Sequence, residues 1–285
     1  MFTTLISAQE LARQIDQAHV VIIDCRHDLM DAIAGRNAYD AGHLPGAHFV
    51  HLDKQLSGSK TSASGTFLGR HPLPSKDDFI HQLRALGLNH SSQVVAYDAH
   101  GGMYAARLWW MLRWVGHSAV AVLDGGVPAW TELGFTLDTK PPSVAPGTIE
   151  IRPSLVKQTT LEDILANLSS KVFNVVDARA PDRFRGENET IDPVGGHIPD
   201  AKNRFFKDNL QADGCFKPAD QLRQEWSSII SDSSQAVMQC GSGVTACHNL
   251  LALEVAGLAG AALYSGSWSE WCADSSRPIA TGAEV

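Results

Sequence analysis

Hydrophobic positions in this chain form two alternating kinds of run. Residues 20–23 (VVII), 94–96 (VVA) and 119–123 (AVAVL) are short, largely β-branched and apolar on both faces. Such runs suit parallel strands buried between helices. Between them, residues 75–86 and 103–115 carry apolar side chains at helical spacing, and each run ends at a glycine, Gly87 or Gly116. Glycine is where a helix commonly stops. A first helix opens at Ser7 with Glu10 three positions later, the pattern of a capping box. The second half repeats the plan, with helices at 160–168, 218–230 and 244–256 and strands at 172–176 and 237–239. Strands alternating with helices predict an α/β class with mainly parallel sheets flanked by helices.

The two halves share motifs as well as rhythm. VVIIDCR (from Val20) and GHLPGA (from Gly42) return as FNVVDAR (from Phe173) and GHIPDA (from Gly196). VVAYD, ending at Asp98, answers AVMQC, ending 142 positions later at Cys240. Beyond that loop the offset is 141, pairing Gly116 with Gly257, Gly125 with Gly266 and Trp130 with Trp271. Duplication of one domain, with single-residue insertions, explains the set. It predicts a first domain over 1–138, a linker over 139–157 that opens on the proline-rich run 139–147, and a second domain over 158–285.

Composition removes several function classes. Lys and Arg number 23 against 31 Asp and Glu, for a net charge of −8, which argues against a nucleic-acid partner. No apolar run approaches the ~20 residues that span a bilayer, so no membrane association is expected. The opening MFTTLISAQELARQIDQ lacks the basic and apolar regions of a secretory signal. A cytoplasmic location is expected. The five cysteines (Cys25, Cys215, Cys240, Cys247, Cys272) include no CxxC pair, so neither a zinc ribbon nor a dithiol is expected. His48 and His51 are spaced as HxxH without a supporting ligand pattern, and no histidine is assigned to a metal. No glycine-rich nucleotide fingerprint follows a strand, and no cofactor is expected. Trp109, Trp110 and Trp114 read as packing residues, and Trp268 and Trp271 as braces for the loop that carries the chemistry.

That loop is Cys240-Gly241-Ser242-Gly243-Val244-Thr245, set between a strand and a helix. Small residues let successive backbone N–H groups turn inward as an anion nest, and the helix adds its positive end. A cysteine there is expected to be a thiolate nucleophile. Cys247, on the same helix, reads as a packing residue.

CGSGVT after a strand, the paired DCR/DAR and GHLPGA/GHIPDA segments and the late GSWSEW together resemble the tandem-domain rhodaneses, over residues 8–280. Within that family the chain is most similar to the branch that uses 3-mercaptopyruvate. The resemblance implies two rhodanese-like domains, the first catalytically silent with Asp98 where the second has Cys240. It implies a persulfide on Cys240, release of pyruvate, and transfer of sulfur to a thiol acceptor such as thioredoxin, or to cyanide. Thiosulfate-using members typically carry Arg and Lys after the cysteine; neutral Gly241 and Ser242 fit a monocarboxylate donor instead. Arg183 matches one donor-binding arginine. The second, nine residues on, is replaced by Asp192, which leaves Arg185 or Arg204 as substitutes, or a pocket that prefers another donor. Ser242 is implied to work with a histidine and an aspartate from the first copy. His43 matches the histidine, and the aspartate stays open between Asp31 and Asp40. His43 reads equally as a packed residue, because His197 stands in the twin motif.

Three other functions are weighed against this one. A thiosulfate:cyanide sulfurtransferase is the runner-up. A cysteine phosphatase needs an arginine six positions after its nucleophile, where this chain has Ala246. A non-enzymatic sulfur carrier would need the scaffold without a donor pocket.

Overall fold

The computed structural model describes residues 1–283; Glu284 and Val285, at the end of the expected second domain, lie outside the described residues. The chain divides into two compact units, Met1–Gly58 with Pro74–Leu155 and Gln211–Phe216, and Ser59–Leu73 with Val156–Leu210 and Lys217 onward. The main crossing, between Leu155 and Val156, falls inside the expected linker. Two short segments depart from a contiguous reading, 59–73 packing with the second unit and 211–216 with the first. A repeat assigns residues by position along the chain, so it does not register such exchanges.

The first unit contains β1 (Leu5–Ile6), β2 (Val20–Asp24), β3 (His48–Phe49), β4 (Gln93–Tyr97) and β5 (Val120–Leu123), in the order β1-β5-β4-β2-β3. The second contains β6 (Lys157–Thr159), β7 (Asn174–Asp177), β8 (Lys202–Asn203), β9 (Ala236–Gln239) and β10 (Ala262–Tyr264), in the order β6-β10-β9-β7-β8. Every adjacent pair is parallel. The duplication is therefore one of topology. The apolar runs lie in β2, β4, β5, β7 and β9, and their burial explains why they carry no polar alternation. The edge strands β1, β3, β6 and β8 span two or three residues, too few to print a period.

Helices form where the caps and periods place them. Ser7 and Glu10 close a capping box on helix Ala8–Ala12, and Thr160 and Asp163 do the same on Leu161–Ser170. Helix Ala105–Trp114 buries nine of its ten residues, which accounts for its tryptophan cluster. Helix Thr245–Val255 buries an unbroken run from Ala246 to Leu253.

The repeated motifs are fold devices. Arg26 donates to Asp24 and to the Gly42 carbonyl, at 2.6 and 2.7 Å. Arg179 donates to Asp177 and to the Gly196 carbonyl, each at 2.6 Å. The Asp-x-Arg segment thus clamps the start of its Gly-His motif in both units. Both pairs are buried, where removing one partner costs about 3–5 kcal/mol. The expected linker is a strap on the first unit: Gly147 N–H donates to Arg84 O at 2.8 Å and Ile149 N–H to Leu88 O at 3.0 Å. Among the described residues no helix is long and apolar enough to cross a membrane.

Candidate active site

β9 is the middle strand of the second sheet, and Cys240 is the first residue beyond its carboxyl end. Ligands of open parallel sheets gather at that edge. The chain curls through residues 240–244 and enters helix Thr245–Val255. Gly243 makes the curl possible: its φ is +76°, and a Cβ there would lie 2.4 Å from Ser265 O. The start of helix Ser267–Trp271 secures the loop. Trp268 N–H donates to Cys240 O and Ser269 N–H to Gly241 O, both at 2.9 Å, while Cys240 N–H donates to Ser267 Oγ at 3.1 Å. Trp268 therefore braces the loop through its backbone, and its indole N–H donates to Val194 O at 2.9 Å. Cys240 is 2 % exposed, with the Ser242 N–H 3.5 Å from its sulfur.

The segment 59–73 brings two further groups to this loop. Arg70 N–H donates to Ser269 Oγ at 3.0 Å, and His71 Nδ1 lies 2.8 Å from Ser242 Oγ. The Arg70 guanidinium covers Gly241, where a Cβ would lie 2.6 Å from Arg70 Nη2 and 3.7 Å from Arg183 Nη2. A neutral Gly241 therefore does not make a neutral site, since two guanidiniums flank it from outside the loop.

Carboxylates hold those guanidiniums in place. One Asp192 oxygen pairs with Arg70 and the other with Arg183 at 3.2 Å. Glu189 accepts from Arg183 at 2.8 Å and from the N–H groups of Ile191 and Asp192 at 2.9 and 3.0 Å. Burial pushes the Asp192 carboxyl above the usual range, against the pull of Arg70. Burial acts on Glu189 too, but the hydrogen bonds from Arg183 and the two backbone N–H groups hold it below its usual value.

Of the residues singled out from sequence, Cys240, Gly241, Ser242, Gly243, Val244, Thr245 and Arg183 come together here. His43 does not. It is fully buried in the first unit, with Nδ1 2.8 Å from Tyr39 O, Nε2 3.2 Å from Lys140 O, and its ring 3.9 Å from that of Tyr39. His197 repeats the arrangement, with Nδ1 2.9 Å from Phe184 O and its ring 3.7 Å from Phe184. The pairing of His43 with Ser242 is corrected: the histidine at Ser242 is His71. Asp40 forms an exposed pair with Arg36, and Asp31 accepts the Ile33 N–H, so neither supplies the aspartate. Arg185 pairs with Glu187 and Arg204 with Glu225. The second guanidinium is Arg70.

A signal for these residues existed. A histidine present in both copies serves what the copies share, the fold, whereas site residues belong to one copy. The run 68–72 (LGRHP) has no twin in the second half.

The first unit shows what became of the matching loop. Asp98 follows the middle strand β4, and its carboxylate accepts four backbone N–H groups: His100 at 2.8, Gly102 at 2.9, Tyr104 at 2.8 and Ala105 at 3.0 Å. That cradle is filled by the protein's own anion. Elsewhere in this unit His27, His51 and Asp53 bring possible ligand atoms within 4.8 Å of one another, a grouping that the HxxH spacing did not indicate. Both ring nitrogens of His51 already meet backbone groups, the Asp53 N–H at 3.1 Å and the Ala32 carbonyl at 2.9 Å.

Comparison with known proteins agrees with the duplication. The rhodanese-like domain family matches residues 7–133 and again 160–274. The chain is 44 % identical over 284 residues to a Pseudomonas aeruginosa protein named "Probable 3-mercaptopyruvate sulfurtransferase", covering 98 % of each chain. It is 34 % identical over 281 residues to the mouse thiosulfate sulfurtransferase, covering 95 % of this chain and 92 % of that one. Among solved structures it is similar to the 3-mercaptopyruvate sulfurtransferase from Leishmania major, with a TM-score of 0.85 and 29 % identity over 97 % of this chain and 76 % of that one. The chain belongs to the rhodanese family and carries the rhodanese-like domain twice.

Proposed function

We propose that this protein is a cytoplasmic sulfurtransferase that takes sulfur from 3-mercaptopyruvate onto Cys240 and passes it to a thiol, such as that of a thioredoxin, or to cyanide. The observation that carries this reading is the meeting of Cys240, the Ser242–His71 pair and the guanidiniums of Arg70 and Arg183 on one five-residue loop. Arg70 and Arg183 take the donor's carboxylate and keto oxygen, which presents the donor's sulfur to the Cys240 thiolate. Attack forms the S–S bond and breaks the C3–S bond, whose electron pair moves into the pyruvate enolate. The donor's thiol proton, taken up by the Ser242–His71 pair, is returned to C3. The products are pyruvate and the Cys240 persulfide. An acceptor thiolate or cyanide then attacks the outer sulfur, and Cys240 leaves as the thiolate.

Thiosulfate is the second reading, favoured by the same two guanidiniums. Asp192 and Glu189 count against it, because they neutralise most of the charge a dianion would need. Steady-state kcat/KM for the two donors decides between them. Mercaptopyruvate is expected to exceed thiosulfate, and a clear advantage for thiosulfate overturns the assignment. The histidines give a second test. His71→Asn is expected to lower kcat with mercaptopyruvate by about 100-fold or more, the usual scale of a proton-transferring group. His43→Asn is expected to lower the thermal midpoint and leave kcat in the folded protein within about twofold. Equal loss of kcat in both variants would contradict the assignment of roles.

A further inference from the structure

We infer that Asp192 is a built-in occupant of the donor's carboxylate position, a latch that an incoming 2-oxo acid must displace from Arg70 and Arg183. The inference rests on the donor reading above, and its geometry lies wholly within the second unit. The Asp192 carboxylate engages one guanidinium with each oxygen, as a bound carboxylate ligand would. Its side chain is 2 % exposed, whereas those of Arg70 and Arg183 are 21 and 18 % exposed and both reach over Gly241 beside Cys240. The site for a small anion next to the nucleophile is thus formed, and a carboxylate of the protein already contacts its cations.

The backbone around Asp192 suits a part that lets go. Residues 186–196 form a loop closed at its base, where a Cβ on Gly195 would lie 2.9 Å from Gly186 Cα. Compact loops of this kind, with ends that nearly touch, are frequently functional. The bounding glycines Gly186 and Gly196 have φ of +82° and +118°. On either side of Asp192, Ile191 and Val194 are each 40 % exposed, so neither side chain anchors the loop in the core. What holds Asp192 and its loop is polar: its pairs with the two arginines, its N–H on Glu189, the pairs of Glu189 with Arg179 and Arg183, and the Val194 carbonyl on the Trp268 indole N–H.

A latch lowers apparent donor affinity by the fraction of time it stays closed. It also selects ligands. A donor with adjacent carboxylate and keto oxygens replaces both contacts that Asp192 gives up, whereas an anion that reaches one arginine leaves the other uncompensated. Burial, which raises the Asp192 carboxyl, weakens the closed state and so eases its displacement.

Pyruvate, the inert product, is the probe. Its affinity is measured by titration calorimetry for the unmodified protein, Asp192→Asn, Arg70→Gln and the double variant, alongside KM and kcat for mercaptopyruvate. With the latch removed, Asp192→Asn is expected to bind pyruvate about tenfold more tightly and to lower KM by a similar factor. In the Arg70→Gln background the same change is expected to give no gain. Asp192→Ser serves the same comparison should the asparagine variant fold poorly. Unchanged or weakened pyruvate binding in the Asp192 variants would overturn the latch and make Asp192 a residue that merely orients the arginines. Intact-mass analysis of the unmodified protein after mercaptopyruvate treatment separates the two readings. A persulfide with no gain in the variants sinks the latch alone, whereas no persulfide sinks the donor reading beneath it.

Discussion

Cys240→Ser is expected to abolish sulfur transfer, with a loss of more than about 10⁴-fold in turnover, while serine at Cys25, Cys215, Cys247 or Cys272 leaves most of it. Removing a nucleophile outright is among the largest single effects in enzymes. The environments of the other thiols explain the contrast. Burial, with the carboxylates of Asp24 and Asp98 nearby, pushes the Cys25 thiol far up. Burial and Asp124 push Cys215 up to about 12, and burial and Asp192 push Cys272 up to about 11. At neutral pH these three stay protonated and are poor nucleophiles. Cys247 faces the backbone of its own helix entrance, donating to Gly243 O at 3.3 Å. Pyruvate release measured across the five single variants checks the set, and retained turnover in Cys240→Ser would refute it.

The second large effect is one of stability. Asp98→Ala removes the carboxylate that accepts four backbone N–H groups at the entrance of helix Ala105–Trp114. A buried donor left without a partner costs about 1–3 kcal/mol. Allowing for water at the exposed His100, the variant is expected to lose about 3–5 kcal/mol, read as a lower urea midpoint. Asp98→Cys in a Cys240→Ser background is expected to stay inactive. A thiolate there would meet N–H donors without the two arginines and the Ser–His pair that surround Cys240. Near-native transfer by the double variant would show the two halves to be equivalent.

Much of the fold was legible because burial writes itself into the sequence. The inner strands are apolar on both faces, helix caps follow local chemistry, and Asp-x-Arg with Gly-His clamps each unit in the same way. The Cys240 loop was legible for a related reason: small residues between a strand and a helix permit a tight curl. The groups around it were harder to find. Arg70 and His71 lie about 170 positions from the loop, in a segment that packs with the second unit although its chain neighbours on both sides belong to the first. Neither periodicity nor a twin motif marks them. His43 had such a twin in His197, and the twin signified a shared stacked and hydrogen-bonded ring rather than chemistry. Asp192 shows the remaining limit. Its charge in the sequence suggested a missing arginine, whereas the structure sets the aspartate against a guanidinium that comes from residue 70.

The most direct test of the central claim is a single-turnover reaction of the unmodified protein with one equivalent of 3-mercaptopyruvate, in which released pyruvate is counted and the added sulfur is located by peptide mass spectrometry. One pyruvate per chain and one sulfur on Cys240 is the predicted result. Sulfur on another cysteine, or pyruvate released with no sulfur retained on the protein, would contradict it.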